Sequence, residues 1–268
     1  TPRGPVVLAI MDGTGIGKYA EGDFVASAFK PNWEWLKKNA LYTELKAHGT
    51  AVGMPSDEDM GNSEVGHNAI GAGRVFSQGA SLVENAINSR ALFEGAVWKE
   101  MLDNVTQHGT QLHFIGLLSD GNVHSHIRHL LAMLKEARAY GVKKVRVHVL
   151  LDGRDVPPQS ALVYVDQLEA TLKELSTEGC DYAIASGGGR MCITMDRYDA
   201  NWSMVEKGWQ THVLGQGAQF ASASEAITQL RETHKGTIDQ DLPAFVIAKD
   251  GKSIGTINDG DAVILFNF

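Results

Sequence analysis

The run Leu112-His-Phe-Ile-Gly-Leu-Leu118, the stretch Ser125–Tyr140 and the run Lys144-Val-Arg-Val-His-Val-Leu-Leu151 decide the fold. The two outer pieces are short apolar runs of strand length. Between them Ile127, Leu130, Leu131, Leu134 and Ala137 recur at helical spacing. Gly141 then stops the helical pattern. The same alternation continues outward. Candidate strands are Val6–Met11, Tyr182–Ser186, Phe245–Ala248 and Ala262–Phe268, and further candidate helices are Ser160–Ser176 and Ser222–Thr233. Alternation of this kind predicts an α/β fold with mainly parallel sheet, covered by helices on both faces.

Composition agrees with a globular enzyme-sized chain. Of 268 residues, 43% are hydrophobic and 21% charged, and 29 are glycine, which suits many strand–helix turns. The formal net charge is −8 with no basic block, so a nucleic-acid footprint is not expected. Cys180 and Cys192 form no close-spaced pair and imply neither a disulfide framework nor a redox motif. The apolar run Val6–Met11 is too short for a signal-peptide core or a membrane span. The expectation is a soluble, cytoplasmic protein with no membrane partner.

The chemistry concentrates first in Asp59-Met-Gly-Asn-Ser-Glu-Val-Gly-His67. Ser63 stands at the start of a segment, Glu64 to Ala72, that can form a helix. A helix N-terminus carries unpaired N–H groups and partial positive charge, so a phosphate and a serine alkoxide are both favoured there. Serine needs a base or a metal to become a nucleophile at neutral pH. Val6–Met11 reads as a buried strand ending in Asp12-Gly13, and a carboxylate at that end of an α/β strand is placed to hold a divalent cation. Asp12 and Ser63 together suggest a metal-activated, phosphoryl-accepting serine. The plainer alternative is a helix cap by Asn62 or Ser63. The glycines after Asp12 make neither a dinucleotide fingerprint, since Lys18 replaces its last glycine, nor a P-loop, which needs Gly where Asp12 stands.

Three later motifs close candidate strands. In Asp152-Gly-Arg-Asp155, Arg154 can fork onto a carboxylate or phosphate and Asp155 can accept from a hydroxyl. That pairing suits a small molecule with an anionic end and an alcohol end; an Arg–Asp pair tying a loop is the alternative. Arg190 follows the glycine run 187–189, which allows close backbone approach to a ligand, and Arg197 lies seven residues on. Ser119-Asp-Gly-Asn-Val-His-Ser-His126 places His124 and His126 at a loop-to-helix junction.

Asp12-Gly13, Gly61–His67, Ile70-Gly-Ala-Gly-Arg74, Ser119–His126, Asp152–Asp155, Gly188-Gly-Arg190 and Met195-Asp-Arg197 stand in the order and at the spacing of one family. The chain resembles the cofactor-independent phosphoglycerate mutases of the alkaline phosphatase superfamily, in the form of their plant-like branch. One extra residue between Arg190 and Arg197 departs from the shortest family pattern. The resemblance implies an alkaline-phosphatase-like domain interrupted by an inserted phosphotransferase domain. The division expected here is 1–79 for the metal-and-nucleophile part and 80–268 for the substrate-binding part. It implies interconversion of 3-phosphoglycerate and 2-phosphoglycerate through a phosphoserine at Ser63. Asp12 and Ser63 would be metal ligands, and His124, Arg154, Asp155, Arg190 and Arg197 would hold substrate. Two divalent cations are implied, manganese first, with magnesium or cobalt as alternatives, and no 2,3-bisphosphoglycerate. His126 and His129 match no family role and are expected to be structural. A monomer is expected. The rivals are another metal-dependent phosphohydrolase or phosphomutase of the superfamily, and a non-catalytic phosphate-binding fragment. Because the sequence stops at Phe268 inside an apolar run, it is expected to be one piece of a longer polypeptide, inactive alone.

Overall fold

In the computed structural model, residues 3–11, 13–77, 79–177, 179–195 and 201–268 are described. Their helices are α1 (Phe24–Ser27), α2 (Pro31–Asn39), α3 (Ser63–Ala72), α4 (Gly79–Asn88), α5 (Ala91–Glu94), α6 (Ala96–His108), α7 (Ile127–Tyr140), α8 (Ala161–Leu175), α9 (Trp202–His212) and α10 (Ala223–Thr233). Their strands are β1 (Leu112–Leu118), β2 (Lys144–Leu151), β3 (Asp181–Gly189), β4 (Ala218–Phe220), β5 (Phe245–Lys249), β6 (Lys252–Ser253) and β7 (Ala262–Leu265). The sheet runs β4-β5-β3-β2-β1-β7, with β6 paired to β5. The β1–β2, β2–β3, β1–β7 and β4–β5 pairs are parallel, and β3–β5 and β5–β6 antiparallel. The fold is therefore α/β with a mostly parallel sheet.

Period-two alternation splits the side chains of the central strands between two faces. Leu112, Phe114 and Leu118 of β1 and Val145, Val147, Val149 and Leu151 of β2 join the main apolar core. Leu102 of α6, Leu130 and Leu134 of α7, Leu168 of α8 and Ile227 of α10 complete it. The opposite face carries His113, Arg146, His148 and Ser186, all buried, so both faces of these strands are covered. α9 and the segment around Ile254 cover that face: the Arg146 Nε–H donates to the Ile254 carbonyl at 2.8 Å.

The N-terminal expectation fails in one place. Val6–Met11 is not a strand, and Val6, Val7 and Leu8 are 77%, 86% and 68% exposed. An extended segment keeps strand form only when a neighbour takes its backbone hydrogen bonds, and no described strand pairs with this one. α3 does form as read. Its cap is Asn62, whose Oδ1 accepts from the Val65 N–H at 3.0 Å. Val65 packs with Val52, Met54 and Ala80 in a small satellite core against Phe268. Near Phe268 the last expected strand is shorter than its apolar run, ending at Leu265. Phe268 itself donates its backbone N–H to the His124 carbonyl at 2.7 Å.

The polar face of the sheet holds an unbroken hydrogen-bonded row. Asp261 Oδ2 lies 3.3 Å from His113 Nε2, and His113 Nδ1 lies 2.9 Å from His148 Nε2. His148 Nδ1 is 2.7 Å from Ser186 Oγ, which is 2.8 Å from His212 Nδ1. His212 Nε2 is 3.0 Å from Thr194 Oγ1. Burial pushes all three imidazoles down. His148 falls well below its ordinary value, helped by its histidine neighbours and Arg146, and His212 falls to about 4. For His113, burial outweighs the pull of Asp261.

A histidine with a depressed native value contributes stability above the unfolded value, near 6.5, and loses it as pH falls. The unfolded chain takes up protons there that the native chain refuses. Urea unfolding midpoints should therefore decline steadily from about pH 6.5 to 4.5, each such histidine adding up to ~1.4 kcal/mol per pH unit. A midpoint that stays flat across that window would show that these histidines are not held neutral in the native state.

Candidate active site

β1, β2 and β3 end side by side, and the residues just beyond their carboxyl ends meet at one carboxylate. Asp152, 2% exposed, follows β2. Its Oδ2 accepts the Ser119 hydroxyl from the end of β1 at 2.7 Å. Its Oδ1 accepts the backbone N–H groups of Arg154 and Asp155, both at 3.1 Å, and Arg190 Nη1 from the end of β3 at 3.0 Å. Burial raises the Asp152 carboxyl, but the hydrogen bonds from Ser119, Asp155 and Arg154 and the Arg190 charge outweigh it. The net shift is downward, and the group stays ionised. The turn between Asp152 and Arg154 requires Gly153: its φ is +117° and a Cβ would sit 2.9 Å from the Pro158 carbonyl. Gly189 lets the backbone leading to Arg190 pass the 240 position, where a Cβ would lie 2.2 Å from the Gln240 carbonyl.

Arg190 is buried and also bonds Asp155 Oδ2 at 2.6 Å. His124 Nε2 stands 4.0 Å from the same Asp155 oxygen. His124, Asp155 and Arg190 are thus gathered into one cluster, while Arg154, beside them in the chain, is exposed. The two arginines differ in kind. Arg154 is open to an incoming anion; Arg190 is held between two carboxylates and fixes the cluster from within.

Ser63 is the first residue of α3 and is exposed. Its loop is tied to the strand-end cluster through Asp59, whose Oδ1 accepts the Asn122 side-chain N–H at 2.6 Å. Asn122 is buried with φ of +56°, a left-handed conformation that Asn tolerates, and its Oδ1 has no partner among the described residues. Reading the sequence for chemistry passed over Asn122, Ser119 and Asp152. The Asp-Gly-Asn turn 120–122 was the available signal, since such turns fix side chains locally. His126 caps α7 by accepting from the Arg128 N–H at 3.1 Å, and His129 bonds Glu84 at 2.6 Å, so both are structural as expected. Asp12 and Arg197 lie outside the described residues. Among the described residues no three His, Cys, Asp or Glu side chains come together to hold a metal ion. The described donor set does not by itself fit a metal centre. No described helix is long and apolar enough to cross a membrane.

A family model described as the BPG-independent PGAM N-terminus matches residues 83–268. The chain is 52% identical over 267 residues to a probable 2,3-bisphosphoglycerate-independent phosphoglycerate mutase of Leptospira interrogans, covering 98% of this chain and 48% of that protein. It is 52% identical over 269 residues to the 2,3-bisphosphoglycerate-independent phosphoglycerate mutase of Trypanosoma brucei brucei, covering 100% and 49%. The corresponding Ricinus communis protein is 47% identical over 272 residues, covering 100% and 48%. A crystal structure of Leishmania mexicana phosphoglycerate mutase at low cobalt concentration superposes with a TM-score of 0.89 at 49% identity, over 96% of this chain and 47% of that one. The chain spans about half the length of the curated relatives it matches.

The contrast between the two arginines is measurable without substrate. Arg190→Ala leaves Asp152 buried and short of a partner, and should lower unfolding free energy by ~3 kcal/mol. Arg154→Ala removes an exposed side chain and should stay within about 0.5 kcal/mol of the parent protein. Equal effects in chemical denaturation would contradict the division of roles.

Proposed function

The chain belongs to the family of 2,3-bisphosphoglycerate-independent phosphoglycerate mutases, and we propose that the protein interconverts 3-phosphoglycerate and 2-phosphoglycerate, a step of glycolysis and gluconeogenesis. The observation that carries the reading is the cluster of His124, Asp155 and Arg190 around Asp152, with exposed Arg154 beside it and the Asn122–Asp59 bond leading to the Ser63 loop. Ser63 attacks the substrate phosphorus: its Oγ–P bond forms as the bond to the glycerate oxygen breaks, and the proton lost by the serine hydroxyl is balanced by one gained at that oxygen, which leaves as a hydroxyl. The freed glycerate stays bound, turns, and its other hydroxyl takes the phosphoryl group back from Ser63. Arg154 offers a planar fork to the glycerate carboxylate, and His124 and Asp155 meet its hydroxyl groups. Arg190 holds Asp155 in place and Arg197 completes the anion clamp. Water must be excluded while phosphoserine exists, since it would otherwise hydrolyse.

Two divalent cations, manganese by preference, belong to the same reading, with Asp12 and Ser63 as this chain's ligands. A bound cation would lower the serine hydroxyl's proton affinity. Residues 1–79 make up the nucleophile part and 80–268 the substrate part. The protein works as a cytoplasmic monomer without 2,3-bisphosphoglycerate.

Ser63→Ala should abolish turnover while leaving unfolding unchanged, because Asn62 rather than Ser63 caps α3. Radiolabelled phosphoryl trapped on acid quench should map to the peptide holding Ser63; label on another residue would remove the mechanism. Arg154→Ala should lower kcat/KM about tenfold to a hundredfold, as expected for losing a charged hydrogen bond. Unaltered kcat/KM would place the glycerate elsewhere.

A further inference from the structure

The row of buried side chains from Asp261 to Thr194 has only one consistent hydrogen-bond direction. An ionised carboxylate accepts and never donates, so His113 presents Nε2–H to Asp261. A neutral imidazole then has Nδ1 free only to accept, which it does from His148 Nε2–H. His148 Nδ1 accepts the Ser186 hydroxyl, Ser186 Oγ accepts His212 Nδ1–H, and His212 Nε2 accepts the Thr194 hydroxyl. The reverse direction would turn an imidazole lone pair toward the carboxylate. His113, His148 and Ser186 come from three adjacent strands and are at most 1% exposed, and His212 of α9 is 3% exposed. The charged groups acting on the row are Arg146 of β2, itself bonded to Asp181, Lys144 at the start of β2, and Asp261.

The far end of the row is a strained residue. Thr194 is β-branched yet has φ of +69°, a conformation that such a side chain keeps only when its surroundings over-determine it. Three contacts do so. His212 takes its hydroxyl, its N–H donates to the Met204 carbonyl at 3.2 Å, and α9 comes so close that a Cβ on Gly208 would lie 2.4 Å from Thr194 Oγ1. Thr194 ends the turn that leaves β3 with Arg190, where the Cys192 and Ile193 N–H groups both return to the Gly189 carbonyl. The row connects to the strand-end cluster through the backbone of residues 190–194.

We propose that His212, Ser186, His148 and His113 are positioning residues that hold Thr194 in its strained conformation and so set the course of the turn that carries Arg190. The proposal rests on the mutase reading where it concerns substrate, and on geometry alone where it concerns the turn. Two measurements on the intact protein separate these. Nitrogen NMR of the imidazoles at pH 7.5 should find His113 and His148 as Nε2–H tautomers and His212 as Nδ1–H. His212 as Nε2–H, or any of the three doubly protonated, overturns the proposal whatever the protein's activity.

The second measurement compares Thr194→Val, which keeps shape but loses the hydroxyl, with Thr194→Ser, which keeps it. Thr194→Val should speed amide exchange across residues 190–195 and raise KM for 3-phosphoglycerate about three- to tenfold, the effect of one lost hydrogen bond, with kcat changed less. Thr194→Ser should restore both. Thr194→Val with parental exchange and parental KM overturns the proposal. Absence of turnover in the full-length parent protein would instead count against the mutase reading, and the exchange comparison would still decide the positioning role.

Discussion

One buried carboxylate organises the working end of the sheet. Asp152 takes hydrogen bonds from the residues that follow β1, β2 and β3, so three chain crossings are pinned to two oxygens. A buried charge is tolerated only when such donors surround it, and removing one leaves a desolvated anion. The arrangement is therefore all-or-none: Ser119, the 153–155 turn and Arg190 hold their places together. Arg154, which faces solvent there, inherits its position from a cluster that is itself closed, with half-buried His124 at its margin.

The fold was largely legible because its central strands are strand-length runs rich in buried Val, Leu, Ile and Phe. β1 and β2 begin and end where their apolar runs do, and α7, α8 and α10 follow helical spacing within two residues. Elsewhere local pattern and tertiary context parted. β3 extends past the expected end at Ser186 through the glycines 187–189, where close packing against Phe245 and Val149 leaves no room for a side chain at Gly187. β4 is a three-residue strand too short to leave a periodic signal, and α9 was missed because Trp202, Val205 and Trp209 lie on its exposed side and blur its apolar stripe. Val6–Met11 has the composition of a strand, but composition supplies no neighbour to pair with.

The candidate site was legible by motif and much less so by physics. Arg190, Asp155 and His124 each had a bland alternative on sequence grounds, and their meeting depends on the parallel order of β1, β2 and β3, which no local spacing encodes. Asp152 looked like the first letter of a motif; its part as the hub appears only when three strands are adjacent. The histidine row was invisible for a related reason. His113 and His148 sit inside apolar runs as single polar interruptions, Ser186 precedes a glycine run, and His212 closes a helix. Their partnership spans residues 113 to 261 and exists only across the strands.

The pairing of β7 with β1 also bears on how the chain reaches this state. Gln111 donates to Asp261 across 150 positions of sequence, and Leu112 stands opposite Ala262. The β1–α7–β2 and β2–α8–β3 units, by contrast, close over a few tens of residues. Contacts of such long range are assembled slowly, since loop-closure entropy must be met before they return any stability. Asp261 arrives with that edge strand, and it is the group that gives the histidine row its direction. Until β7 docks, the imidazoles have no carboxylate to fix their proton arrangement, so the order of the polar face depends on this long-range closure.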